Sequence, residues 1–454
     1  MRVVIPSNTV PSQSQIERWI AALSGVGARL PGSVGGKRGE EIVETLLREV
    51  GVADVRRDSI ALSTWEPEAA HLEVDGGSIP AYPITGSRFA PEGVEGEVIW
   101  LGAGDPESIA VRDLSGRIAV VELPFPHRPY DTLRKTAHAM HDPGGTLRRE
   151  PETRATWILP TFRRVYSWCA ARGAVGFIGV LKDLRANRHR YHYSYSWADE
   201  VLPVPAAFVG RDAGPRLAKL ATATGRKGRL VTRGRAAASA TANLLGVLPG
   251  ASDEIVLVAT HHDAPFAGAV DDATGVALLL AVASHFTQKK REQRALTQVF
   301  LAAAGNYLHN LGARRFLSRH AHDLVPRIVL TLTAEHVARE AEERDGKLVP
   351  TGLVEPRGIF VSDLPELLDL ATLSAVGNDL RRSFIVPVPA AGGHIDGESR
   401  PYFSADLPSI GFVAGPEYLM TDDGGPEWVA SEELVPSAKT LIEILEGFFR
   451  MREG

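Results

Sequence analysis

Thr260-His261-His262-Asp263-Ala264-Pro265-Phe266-Ala267-Gly268-Ala269-Val270-Asp271-Asp272-Ala273-Thr274-Gly275-Val276 joins two apolar segments. Ile255 to Ala259 is a short, largely β-branched run that reads as a buried strand. Ala273 to Phe286 carries apolar residues in helical register with no proline. The His-x-Asp triplet and the acidic turn therefore fall on a strand-to-helix connection, where a metal site can be built. His261 offers a neutral imidazole nitrogen, Asp263 can accept its other N–H, and Asp271 can bring a carboxylate to the same ion. One His and one acid on a loop are common on protein surfaces, so the weight rests on what the rest of the chain supplies.

Three later segments supply it. Gln298 to Ala304 is an apolar strand running into Gly305-Asn306-Tyr307-Leu308-His309-Asn310-Leu311-Gly312. Ile328 to Thr333 is another, running into Ala334-Glu335-His336-Val337. Gly415-Pro416-Glu417-Tyr418-Leu419-Met420-Thr421-Asp422-Asp423 lies near the end. In this order the segments resemble the cocatalytic zinc aminopeptidase family, which includes glutamate carboxypeptidase II and the non-catalytic transferrin receptor ectodomain. The resemblance implies that His261 is a first-site ligand, Asp271 the carboxylate that bridges two ions, and Glu335 a stand-in for the family's acidic ligand.

The departures carry as much information. Asn306 stands where the family keeps its general-base glutamate, Tyr307 where it keeps a second-metal glutamate, and Met420 where its last metal histidine belongs. A register error does not rescue them, because no Asp or Glu occurs from Gln293 to His322 and no His follows His394. The expected cofactor is thus one divalent ion, zinc, on His261, Asp271 and Glu335 with water in the fourth place. The second site is expected to be lost, since a carboxylate with a phenol and a thioether is a poor home for a second cation.

An amide cannot accept and return a proton, so Asn306 can orient water or substrate but cannot act as base. Tyr307 can still donate a hydrogen bond. Loss of one general base costs roughly 10²–10⁴-fold in rate. Among replacements, His336 follows Glu335 directly and either faces the ion or points away. His309 lies on an expected helix, three residues after Asn306, and His262 should project to the opposite side from His261. His394 and Glu398 sit in the Gly-rich loop from Gly392 to Phe403. With Tyr418 and Met420 they are the expected substrate contacts.

A chain of 454 residues exceeds one hydrophobic core. The expected division is 1–70, an N-terminal helical part; 71–239, a β-rich insert resembling the protease-associated domain of many such peptidases; and 240–454, the main α/β domain. Strands alternating with helices after Ala240 argue for an α/β fold with a mostly parallel central sheet, helices on both faces, and ligands gathered at the strand ends. The net charge of −5 and pI near 6.3 argue against a nucleic-acid footprint. Cys169 is the only cysteine, which excludes an intrachain disulfide. The N-terminus turns polar too soon for a signal peptide and no apolar run approaches the roughly 20 residues of a membrane span, so a cytoplasmic protein without membrane contact is expected.

Arg185 to Trp197 interleaves basic and aromatic residues and reads as a strand or a pocket wall; His127 to Arg154 reads as a long loop of the insert. The leading functional expectation is a metallohydrolase acting on a peptide or small amide. A catalytically inactive binding or scaffold protein is the alternative. Single-metal acyl transfer or cyclisation, as in the glutaminyl cyclases that resemble this family, ranks last because their late histidine is missing. Many relatives form dimers, so a homodimer is a candidate assembly.

Overall fold

The computed structural model describes residues 5–125, 130–147, 161–193, 201–221, 225–393, 395 and 397–453. Four parallel strands form its centre, in the order Leu296–Ala303, Ser252–His261, Ile328–Ala334 and Ser409–Ala414. Nearly every residue of these strands is buried. This is the continuous apolar pattern expected when helices cover both faces of a parallel sheet. Arg357–Val361 then pairs antiparallel to Ser409–Ala414, and Ser383–Pro387 continues the sheet outward.

Thr274–Thr287 is the central helix, and all but two of its residues are buried. With the preceding turn it forms a 19-residue helical stretch apolar enough by composition to cross a membrane, yet 94% of that window lies inside the fold. A helix apolar all round is what a position deep in the core of a large α/β domain demands.

On the other side a ribbon of two long strands, Asp54–Val74 and Lys227–Leu248, pairs antiparallel from Asp54↔Val247 to Val74↔Gly228. One end borders the main sheet through Leu296–Ala303. The other joins Ala90–Trp100, Arg117–Leu123, Gly176–Leu181 and Ala206–Gly210, which are parallel to one another. Residues 71 and 239, the expected domain limits, each lie inside one of these continuous strands. The part between them has its own apolar core around Leu72, Val120, Ile178 and Leu230.

One local expectation fails. The segment after Ala303 is not yet a helix at Asn306: residues 305–310 form a turn, His309 and Asn310 have φ of +56° and +52°, and the helix runs Leu311–Arg319. Asn310 spends its side chain on Asn306 Oδ1 and Gly397 O instead of exposing it on a helix face. Such side-chain bonds are how Asn competes with helix. His309 therefore does not share a helical face with Asn306.

Candidate metal centre

The parallel strands deliver their polar residues to one edge. His261 ends Ser252–His261, Glu335 and His336 follow Ile328–Ala334 directly, and Asn306 and Tyr307 follow Leu296–Ala303. Crevices outside the carboxyl ends of strands are where open α/β sheets place ligands.

His261, Glu335 and His336 each offer a ligand atom, all within 4.8 Å of one another, and all three residues are buried. Asp271 Oδ1 lies 3.3 Å from Nε2 of both histidines, and Glu335 Oε2 lies 3.9 and 4.0 Å from the same two nitrogens. Donors about 2.0–2.2 Å from one tetrahedral ion stand about 3.3–3.6 Å apart, so Asp271 Oδ1 already has that spacing from both imidazoles, while Glu335 Oε2 would have to draw in to share an ion with them.

Each imidazole is oriented from behind. His336 Nδ1 donates to the carbonyl of Ala414 at 2.6 Å, and His261 Nδ1 lies 3.2 Å from the carbonyl of Asp263 and 3.5 Å from its carboxylate. A carbonyl only accepts, so Nδ1 carries the proton and Nε2 turns to the cluster, as ligating histidines require. His262 points away, to the carbonyl of Ala242 at 3.0 Å.

Asp272 completes the frame. Its Oδ2 accepts from the Thr260 hydroxyl, and its Oδ1 accepts from Gly275 N at 2.9 Å and His336 N at 3.2 Å. One buried carboxylate thus ties the acidic turn, the strand end and the Glu335–His336 loop together. A Cβ on Gly275 would stand 2.1 Å from Asp272 Oδ2, so only glycine admits this approach. The sequence reading passed over Asp272; the available signal was an acid three residues before Gly275 at a helix start.

The electrostatics call for a cation. Asp263, Asp271, Asp272, Glu335 and Glu398 are all buried here. Burial pushes Glu335 up to about 7 and holds Asp272 and Glu398 above the usual carboxylate range. Burial would also raise Asp271, but its hydrogen bonds to His261 and His336 outweigh that and take it down to about 2. Burial opposes the charge on His336, yet the hydrogen bond it donates to Asp271 prevails and lifts it to about 9; against burial, His261 is likewise raised well above the ordinary imidazole value by Asp263 and Asp271. Oδ2 of Asp271 and Oε2 of Glu335 are buried without any hydrogen-bond partner. Orphaned carboxylate oxygens beside two inward imidazole nitrogens fit a divalent cation.

The remaining expected residues fall around this centre. Asn306 donates its backbone N–H to Asp263 Oδ1 at 3.1 Å, and its Nδ2 lies 3.2 Å from His261 Nε2. Asn310 gives an amide N–H to Asn306 Oδ1, which fixes the end that faces His261. Tyr307 is buried with its ring edge-on to His261 and His192, at 5.9 and 5.2 Å, and its hydroxyl has no partner. Glu398 is fully buried: its N–H donates to Glu335 Oε1 at 2.6 Å, its Oε1 accepts from Tyr402, and its Oε2 has no partner. The neighbouring Gly397 has φ of +97°, and a Cβ there would sit 2.5 Å from Glu335 Oε1. Tyr418 packs on Trp428 and donates its hydroxyl to the carbonyl of Arg339, a packing position within the loop. Met420 is buried in the apolar core, and its carbonyl accepts from His192 N at 2.8 Å. His394 lies outside the described residues.

The basic-aromatic stretch of the insert closes over the edge. Arg185, Arg188 and Arg190 pair with Glu417, Asp423 and Asp422 at 3.2, 2.5 and 2.8 Å, and Tyr191 bridges Thr421. Residues 194–197 of that stretch, and much of the expected loop over 127–154, lie outside the described residues.

Comparison with known proteins agrees with this geometry. Residues 243–355, which include His261, Asp271, Asn306, Glu335 and His336, match the model of peptidase family M28. No curated protein matches the sequence. Among solved structures, a zinc aminopeptidase from Bacillus subtilis superposes with a TM-score of 0.68 at 16% identity, covering 96% of this chain and 95% of its own. A peptidase M28 precursor from Shewanella amazonensis gives 0.70 at 16% identity, covering 96% and 93%. An aminopeptidase from Aneurinibacillus gives 0.63 at 16%, covering 96% and 93%. At such identity the likeness is one of fold. Residues 243–355 thus match peptidase family M28, within a chain whose fold is similar to that of zinc aminopeptidases.

Proposed function

We propose that the protein is a metal-dependent hydrolase of peptide or small amide bonds that works with one divalent ion, zinc, held by His261, Asp271, Glu335 and His336. The observation that carries this reading is the convergence of Glu335 Oε2 and Asp271 Oδ1 on the two inward-facing Nε2 atoms, inside a buried cluster of five acids. Adding His336 to the ligands expected from sequence makes the set two imidazoles and two carboxylates. Such a set suits zinc better than calcium or magnesium, which prefer oxygen alone.

A bound divalent ion would supply Lewis acidity that polarises the scissile carbonyl. The chain's own groups do the rest. The carbonyls of Asp263 and Ala414 hold the two rings in register, Asp272 locks the turn to the Glu335–His336 loop, and the unpartnered Tyr307 hydroxyl is placed to donate to a bound oxygen. Tyr307, packed edge-on to His261 and His192, stands beside the centre and brings no carboxylate to it, which supports a mononuclear site. The relatives named as aminopeptidases support the substrate class.

A second reading, a metal-bound binding or scaffold protein without turnover, is favoured by one observation. Four protein donors fill a tetrahedral ion, as in structural zinc sites, and Asn306 offers no base beside them.

Metal uptake tests what both readings share. Chelator-stripped protein titrated with zinc is expected to take up one equivalent per chain, more weakly as pH falls, because both imidazoles must be neutral to bind. His261→Ala is expected to abolish uptake. His336→Ala should weaken it by at least the roughly 10–100-fold that losing a ligand's supporting partner costs. A His336→Ala protein with unchanged zinc affinity would remove His336 from the site, and a parent chain indifferent to zinc would end the metal proposal.

A further inference from the structure

A cavity of about 270 Å³ opens beside the metal loop, lined among others by Tyr82, Phe266, Glu68, Asp422 and Arg190. Phe266 also lines a narrow void of about 10 Å³ that reaches Asp271, so the cavity stands one side chain from the centre. Its walls come from separate parts of the chain: the ribbon, the insert, the loop between His261 and Asp271, and the loop after Ser409–Ala414.

The Arg190 guanidinium shows what these walls recognise. It lies 5.4 Å from the ring centroids of both Tyr82 and Phe266, and its Nε is 2.8 Å from Asp422 Oδ2. Two aromatic faces and a carboxylate around one guanidinium make a cation-binding cage. Glu68 adds a second carboxylate to the lining, against Arg190 as the single cation among the lining residues. Yet Arg190 can be displaced: its side chain is 48% exposed and that of Asp422 34% exposed, so a competing cation can reach the carboxylate and salt screens the pair.

We propose that this cavity takes the guanidinium or ammonium side chain of a basic peptide or amide substrate, and that Arg190 occupies the cage as an internal plug which the substrate displaces. The assignment to substrate rests on the hydrolase reading; the cage itself does not need the metal. A plug that fills the cage most of the time lowers apparent affinity by the fraction of time the cage is free. Removing the plug should therefore strengthen binding of a basic ligand.

Calorimetric titration with arginine amide, using norleucine amide as the uncharged control, reads this directly. Arg190→Ala is expected to bind arginine amide at least about tenfold more tightly than the parent chain, with no gain for norleucine amide. Adding Asp422→Asn to Arg190→Ala should cost about tenfold or more, and high salt should weaken binding. Arg190→Gln, which keeps the polar surface, serves as a second unplugged variant should the alanine protein fold poorly. The measurement is made on zinc-loaded and chelator-stripped protein alike. Equal affinity of parent and both unplugged variants, or indifference to Asp422→Asn, overturns the cage. Failure of zinc uptake with the arginine amide result intact would instead strike only the hydrolase reading.

Discussion

The Asn306→Glu variant is expected to hydrolyse an aminoacyl anilide roughly 10²–10⁴-fold faster than the parent chain, the range that one positioned general base contributes. Asn306 is already where a base should be: its backbone is anchored to Asp263 Oδ1 at 3.1 Å and its side chain reaches to 3.2 Å from His261 Nε2. What it lacks is a group able to take up a proton and give it back. Glutamate supplies that group with one more methylene, and Asn310 remains able to donate to its second oxygen. Asn306→Gln is the control, having the same length and no basic oxygen, and is expected to stay at the parent rate. The comparison of Glu with Gln isolates proton transfer from reach and packing. A Glu variant no faster than the Gln variant, in protein shown to hold one zinc, would mean that the filled coordination sphere and not the missing base silences the site. The scaffold reading would then hold.

How much of this was legible in the sequence follows from which features are local. The strand Ser252–His261, its acidic turn and the helix after it are written in hydrophobic period and in the spacing of His261 and Asp271, so they could be read without coordinates. His336 could not, because the direction of a side chain just past a strand depends on backbone dihedrals. His336 has φ of +60°, a left-handed conformation uncommon for a residue with a Cβ. That conformation, with the carbonyl of Ala414 from a strand 78 residues later, accompanies an imidazole turned inward. Asp272 escaped notice for a related reason. Its partners are Thr260, Gly275 and His336, which meet only when the sheet has formed. That Met420 and Tyr307 bring no metal-binding carboxylate or imidazole is legible in the sequence, whereas their contacts with His192 of the insert depend on how the two halves of the chain close over each other.

Arg29→Met is expected to cost about 3–5 kcal/mol in chemical denaturation of the metal-free protein, the scale on which removing a buried compensating charge destabilises a fold. Arg29 is completely buried, and its guanidinium donates to the carbonyls of His262, Leu23, Ala267 and Gly268 at 3.0, 3.0, 2.8 and 3.0 Å. Its backbone also exchanges one pair of hydrogen bonds with Ala264. One side chain from the N-terminal part thus holds both ends of the loop that runs from His261 to Asp271. Burial lowers its pKa to about 10, with Asp271, Asp263 and Asp272 opposing the fall, so it is charged at neutral pH and neutralises part of their repulsion. Methionine fills a similar volume but leaves the carbonyls unsatisfied and the acids uncompensated. Arg29→Lys keeps the charge and loses the planar fork, so it should recover only part of the loss. Zinc should stabilise the methionine variant less than the parent chain, because stabilisation grows with affinity and the loop carrying two of the ligands is no longer held. A methionine variant within about 1 kcal/mol of the parent, with equal stabilisation by zinc, would show that the loop keeps its shape unaided.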